Sequence, residues 1–281
     1  MLLIDILSRH EGGLTQTERR LIDVLLADPT GAAMFSATEL AEKAGTHPSS
    51  LVRLAKKLGF DGFPDLRARL RDEIVLPDQP AARLRRRLDG LPREAVLESV
   101  VERERANLAA LPHHVSDEQI KRAATLLSRS RRVLLFGEGG ARMLRDLMSD
   151  RLRRIGILAE VMPAEAREVA ASLTALTADD MLLAFAFARL PRLLPAVLAE
   201  AARCGATSVV LSDLAGSLLR PTPDLLIAAP RGPGGQSQAL VVPLVLCHAI
   251  LLTIAMVDKG RSLKRAERYG KLRAALTEQS R

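Results

Sequence analysis

Aromatic side chains are scarce in this chain, which has no tryptophan, one tyrosine and six phenylalanines. Modules that read unpaired bases stack them on aromatic rings, so composition argues against a single-strand or RNA-binding protein. Cysteine is just as scarce. Cys204 and Cys247 lie far apart and match no metal-ligand spacing, which leaves buried thiols in a reducing compartment as the expectation. The opening MLLIDILSRH lacks a basic lead followed by a long apolar core, so no secretory leader is expected. The longest apolar run, residues 239–257, is interrupted by Pro243 and His248. It is expected to be a helix buried against a sheet, with His248 in the core, and not a membrane span. His47, His113, His114 and His248 show no spacing suited to nucleophilic or metal chemistry.

What is present fits two domains. At 281 residues the chain exceeds one typical domain, and 48% of its residues are apolar, enough for a sizeable aliphatic core. The net charge of +8 is unevenly placed: residues 1–75 carry −1, residues 76–154 carry +6 and residues 155–281 carry +3.

Residues 36–63 form the organising stretch, SATELAEKAGTHPSSLVRLAKKLGFDGF. Ser36 and Glu39 make a capping box, Leu40, Ala41 and Ala44 share one apolar face, and Gly45 ends this first helix. Pro48 then suits the first position of a second helix, whose stripe is Leu51, Leu54, Ala55 and Leu58. Two short helices around a glycine turn predict a helix-turn-helix. Its candidate DNA contacts are Thr46, His47, Ser49, Ser50, Arg53, Lys56 and Lys57, with Ser49, Ser50 and Arg53 near base edges and both lysines on phosphate. Since residues 1–75 are not basic overall, this segment carries the case locally, and two copies are needed for useful affinity.

Upstream, Thr15 and Glu18 cap a helix over residues 14–27 with Leu21, Ile22, Leu25 and Leu26 on its apolar stripe. Downstream, Phe60 and Phe63 bracket the Asp61-Gly62 turn as packing anchors, and Pro64 begins a helix reaching Ile74. Residues 77–115 read as a linker with connecting helices, including the run Arg83, Arg85, Arg86 and Arg87.

From Arg132 onward, short apolar runs alternate with helices. Strands are expected at 133–136, 158–162, 181–187, 208–211 and 225–229, making a five-stranded parallel sheet covered by helices on both faces. Ligands of such sheets sit at the carboxyl ends of the strands. The candidate effector residues are therefore Gly137, Glu138, Gly139 and Gly140 after the first strand, Arg189 after the third, and Ser212, Asp213 and Ser217 after the fourth. The glycine loop suits an anion at a helix start, and equally a close strand-to-helix passage. Ser212 and Asp213 suit hydroxyl binding, and equally a capped turn. Arg142 stands where a dinucleotide fingerprint needs glycine, so no nicotinamide or other cofactor is expected.

With these segments in view, the chain resembles the RpiR family of bacterial transcription regulators, in which a helix-turn-helix precedes a sugar isomerase (SIS) domain. The match lies in L-T-Q-T-E-R-R-L-I at 14–22, E-L-A-E-K-A-G at 39–45 and S-S-L-V-R-L-A-K-K-L-G-F-D-G-F at 49–63. It continues more loosely in F-G-E-G-G from Phe136, R-R-I-G from Arg153 and L-S-D from Leu211. The resemblance implies a helix-turn-helix over 1–76 and an SIS-like domain over 116–281. It also implies a cytoplasmic, non-enzymatic homodimer or dimer of dimers, binding double-stranded DNA and a small-molecule effector, in the family's usual case a sugar phosphate. Two departures fall on the effector site. Ala141 replaces a serine of the first loop, and Ala184-Phe185-Ala186-Phe187-Ala188-Arg189-Leu190 replaces the Ser-x-Ser-Gly-x-Thr phosphate loop. A sugar-phosphate isomerase and a non-specific architectural DNA binder are the alternatives; the first needs a positioned base, for which Glu138 is the only acid on a candidate loop.

Overall fold

A computed structural model describes residues 13–27, 32, 35–70, 88, 91–92, 94–187, 190–213, 219–231 and 239–279. The chain divides between Arg103 and Glu104 into two compact units.

The first unit is helical: α1 (Gln16–Ala27), α2 (Ala37–Lys43), α3 (Pro48–Lys57) and α4 (Phe63–Leu70). Both expected capping boxes form. Glu18 Oε2 accepts from the Thr15 amide at 2.7 Å while Thr15 Oγ1 accepts from the Glu18 amide at 3.3 Å, and Ser36 and Glu39 repeat the arrangement at 2.7 and 3.3 Å. The turn between α2 and α3 closes as a Schellman motif: the Thr46 amide donates to Ala41 and the Gly45 amide to Glu42, with Gly45 at φ +59°. Gly59, at φ +88°, ends α3 in the same way through amides 59 and 60. A Cβ is strained at both positions, which is why glycine stands there. Leu21, Ile22 and Leu25 of α1 meet Leu40 and Ala41 of α2, Leu51, Leu54 and Ala55 of α3 and Phe63, Leu66 and Leu70 of α4 in one aliphatic core.

The boundary helix α5 (Val96–Ala110) buries none of its side chains. The second unit then runs α6 (Asp117–Arg129), β1 (Arg132–Gly137), α7 (Arg142–Arg154), β2 (Ala159–Val161), α8 (Ala166–Thr174), β3 (Asp180–Ala186), α9 (Leu194–Cys204), β4 (Thr207–Ser212), β5 (Leu225–Ala228), α10 (Val241–Val257) and α11 (Arg261–Gln279). The five strands are all parallel, in the order β2-β1-β3-β4-β5. Ile120, Ala124 and Leu127 of α6, Leu144, Met148 and Leu152 of α7, and Leu246 and Ile250 of α10 pack on Val133, Leu135, Leu183, Phe185, Val209 and Ile227. The alternate strand residues Leu134, Leu182, Ala184 and Val210 are equally buried, and α9 packs on β3 and β4. Both faces are covered, so the strands read as continuous apolar runs.

Two findings depart from expectation. His248 is exposed and not a core histidine, because the helical phase of α10 sends it outward beside Leu244, Leu252 and Met256 while Cys247 and Ile250 point inward. Helix α11 is an addition: it buries only Ser262, so it has no core-facing stripe to announce it. Among the described residues no single helix is long and apolar enough to cross a membrane.

The amino edge of the sheet holds a buried charge cluster. Asp180 Oδ2 accepts from Arg131 Nη2 at 2.9 Å, Arg132 Nη2 at 3.1 Å, the Thr177 amide at 3.1 Å and Thr177 Oγ1 at 3.2 Å. Burial opposes the Asp180 charge, but the Arg132, Arg131 and Thr177 hydrogen bonds outweigh it and hold the carboxyl below the usual carboxylate range.

Candidate functional site

The outward face of α3 is the first site. His47 is the helix N-cap: its Nδ1 accepts from the Ser49 amide at 3.3 Å and lies 2.9 Å from Ser49 Oγ. An amide can only donate, so Nδ1 carries a lone pair and the ring proton sits on Nε2, available as a donor on the exposed side. Thr46 is half-buried and turns its hydroxyl back onto the His47 carbonyl at 3.2 Å. Arg53 Nη2 donates to Ser50 Oγ at 3.3 Å, one turn earlier on the same helix. Ser49, Arg53 and Lys56 are exposed, and the spacing of 49, 53 and 56 keeps them on one face.

Lys57 has partners within the fold that the sequence did not indicate. Its ammonium donates to Glu18 Oε2 at 2.8 Å and to the Gly13 carbonyl at 2.7 Å, tying α3 to the start of α1. Burial works against the Glu18 carboxylate, yet hydrogen bonds from Lys57 and Thr15 hold its carboxyl below the usual range. Lys57 thus ties α3 to α1 while its residue stays exposed. The partner lies 39 residues earlier in the chain, which local spacing does not reveal.

The second site is the carboxyl edge of the sheet. The chain steps from β1 outward to β2 and then back across to β3, so the order reverses between β1 and β3, the point at which sheets of this kind bind their ligands. Gly137 closes β1. A Cβ there would meet the Ala141 carbonyl at 3.3 Å and Arg145 Cβ at 3.5 Å, so its glycine serves close passage of α7. Glu138 is half-buried and caps a short 3-10 turn over Gly139–Ala141, with Gly139 at φ +55° and both glycines exposed at the crest. Ala141, in the place of the family's serine, is buried.

After β3 the chain turns at half-buried Phe187, while Ala184, Phe185 and Ala186 are strand residues with no exposed surface. Phe185 belongs to the core and not to this edge. Ser212 is likewise fully buried, and its hydroxyl donates to the Ala186 carbonyl at 2.6 Å, locking β4 to β3. Arg189 and Ser217 lie outside the described residues.

Two arginines at this edge were not found from sequence. Arg145 of α7, 6% exposed, donates through Nη1 to the carbonyls of Gly137 at 3.4 Å and Met162 at 3.1 Å, and through Nε to Asp146 at 2.8 Å. Arg231, three residues past β5 and also 6% exposed, pairs with Asp213 Oδ2 through Nε at 2.7 Å and Nη2 at 2.6 Å. Its guanidinium carbon lies 5.2 Å from the Phe187 ring centroid. Strands β5 and β3 are two steps apart, about 10 Å, so the Arg231 side chain brings the charge from β5 to the end of β3. Asp213, Phe187 and Arg231 thus come together from three loops, and only Asp213 was anticipated.

Comparisons with known proteins agree with both units. Residues 1–76 match the family model described as a helix-turn-helix domain of the rpiR family. The uncharacterized HTH-type transcriptional regulator YfhH of Escherichia coli K12 is 29% identical over 78% of this chain and 77% of its own. The sugar isomerase domain of an RpiR transcription factor from Sphaerobacter thermophilus superposes with a TM-score of 0.58 at 22% identity, covering 63% of this chain and 99% of that one. The Vibrio vulnificus NanR protein, solved in complex with ManNAc-6P, superposes over 98% of this chain and 99% of its own, with a TM-score of 0.60 at 16% identity. The chain thus carries an rpiR-family helix-turn-helix over residues 1–76 ahead of a sheet unit of the sugar isomerase fold, and it is similar to RpiR-type transcription regulators.

Proposed function

We propose that α3 enters the major groove of a duplex operator and that the carboxyl edge of the sheet senses a small anionic carbohydrate derivative. The observation that carries the first half is the free outward face of α3, where Ser49, Arg53 and Lys56 stand exposed beside the His47 cap. Arg53 and the Nε2 proton of His47 are donors matched to purine acceptors, Ser49 and Ser50 lie at the base-facing start of the helix, and Lys56 matches phosphate. Thr46 supports the turn.

At that edge, the exposed amides of Gly139 and Gly140, ahead of α7, suit the anionic group. Arg231 steadies Asp213, whose carboxylate suits the hydroxyls of the ligand body; Glu138 stands opposite on the first loop. The sugar-phosphate complex of NanR supports this class of ligand. Ser212, fully buried with its hydroxyl on the Ala186 carbonyl, supports the end of β4 instead. We read the unit as a sensor and not a catalyst: Asp213 is tied to Arg231, and Glu138, whose side chain makes no cap hydrogen bond, stands as a single carboxylate on the first loop.

Pairing of two copies follows from the chemistry of α10. Leu244, Leu252 and Met256 present an apolar stripe, with Leu252 64% and Met256 79% exposed. A second copy covering this stripe removes it from water and gives the two recognition helices that palindromic half-sites require. A cytoplasmic homodimer, or a dimer of dimers, is the form proposed.

Selection from a random duplex library with the full chain tests the reading. The expected result is one common palindromic motif bound about 10³-fold or more above random DNA, with affinity changed by ManNAc-6P or another sugar phosphate. Equal affinity for every duplex would establish an architectural binder instead, and turnover of the sugar phosphate an isomerase.

A further inference from the structure

One apolar side chain on the outward face of α3 is left partly open to solvent. Of the apolar residues of α3, Leu51, Leu54 and Ala55 are buried, whereas Val52 is 37% exposed. Valine is also a poor choice for an exposed helix interior, because its branched Cβ restricts the side chain against the preceding turn. Lysine, glutamate or alanine would serve the helix better there. A residue that breaks local preference on a functional face points to a contact made with something outside the fold.

Its surroundings indicate what that contact is. Val52 is one turn after Ser49 and one turn before Lys56, and it adjoins Arg53. Around it the face is rich in donors: the Nε2 proton of His47, the guanidinium of Arg53 and the ammonium of Lys56. The major groove offers acceptors on guanine and one apolar feature, the C5 methyl of thymine. We propose that Val52 is a specificity-determining residue that packs against a thymine methyl in each operator half-site, next to a purine contacted by Arg53. This rests on the reading of α3 as the recognition helix.

The test uses the full chain and the operator that it selects from random duplexes. Each thymine is replaced in turn by deoxyuridine, which removes the methyl and leaves the hydrogen-bonding edge intact. The expected result is one thymine per half-site whose replacement weakens binding about four-fold per methyl buried, and that loss vanishes in Val52→Ala. Val52→Thr, which keeps one methyl, retains part of the dependence. Because Val52 is partly exposed, both variants are expected to stay folded at the assay temperature, which thermal melting checks. Affinity indifferent to every deoxyuridine, or a thymine dependence undiminished in Val52→Ala, overturns the proposal while leaving the regulator reading intact. A library that yields no common motif overturns both.

Discussion

The two units hold charge in opposite ways. In the helical unit Arg53 and Lys56 stand on the surface, where a charge costs little to keep and stays available to a partner. In the sheet unit Asp180, Arg145 and Arg231 are buried, and each is met by ion pairs or carbonyls within the fold. A buried charge must be matched or it destabilises. On α3 the exposed charges of Arg53 and Lys56 are open to a partner, while the buried charges of the sheet unit are matched within the fold.

The contrast can be broken most directly at Asp180. Asp180→Ala removes the buried partner shared by Arg131 and Arg132 and the acceptor of Thr177, and is expected to cost about 3 kcal/mol, read from urea unfolding of the full chain. A loss below about 1 kcal/mol, the level of a surface pair, would erase the distinction. The pH dependence sharpens it. The folded-state carboxyl of Asp180 is depressed, so its contribution is present above the ordinary unfolded value of about 3.9 and fades as pH falls through the lower folded value. Asp180→Asn, already neutral, should show a flatter acid limb in the same unfolding series. A smaller effect separates two neighbouring lysines. Lys57→Met should lower stability by up to about 1 kcal/mol by freeing Glu18. Lys56→Met should leave stability alone, weaken binding to every duplex alike and reduce the salt slope by about one. Matching phenotypes for the two would contradict the tether. Smallest of all is Cys247, whose thiol is pushed up to about 12 by burial and should react with a thiol reagent only after unfolding.

Legibility divides along the same line. The helix-turn-helix was readable because its signals are local: Ser36 with Glu39, Gly45, Pro48 and the stripe from Leu51 to Leu58 each depend on neighbours within four residues. The strands were readable from apolar runs, and their parallel pairing from the helices between them. Their order was not, because pairing β1 with β3 rather than β2 with β3 is a long-range choice. Arg231 escaped notice because Asp213 and Phe187 reach it from other strands, and the tie of Lys57 to Glu18 did so because the two lie far apart along the chain. His248 looked buried among apolar neighbours, yet a helix half covered by its own unit turns every fourth residue outward.

The central claim is that the face of α3 reads duplex sequence. Titrating the selected operator and a random duplex with the parent chain and with Arg53→Ala, across a range of salt, tests it most directly. The account predicts a loss of about 1–3 kcal/mol on the operator, with a far smaller loss on random DNA and unchanged thermal stability. Equal losses on both duplexes, or none on either, would contradict it.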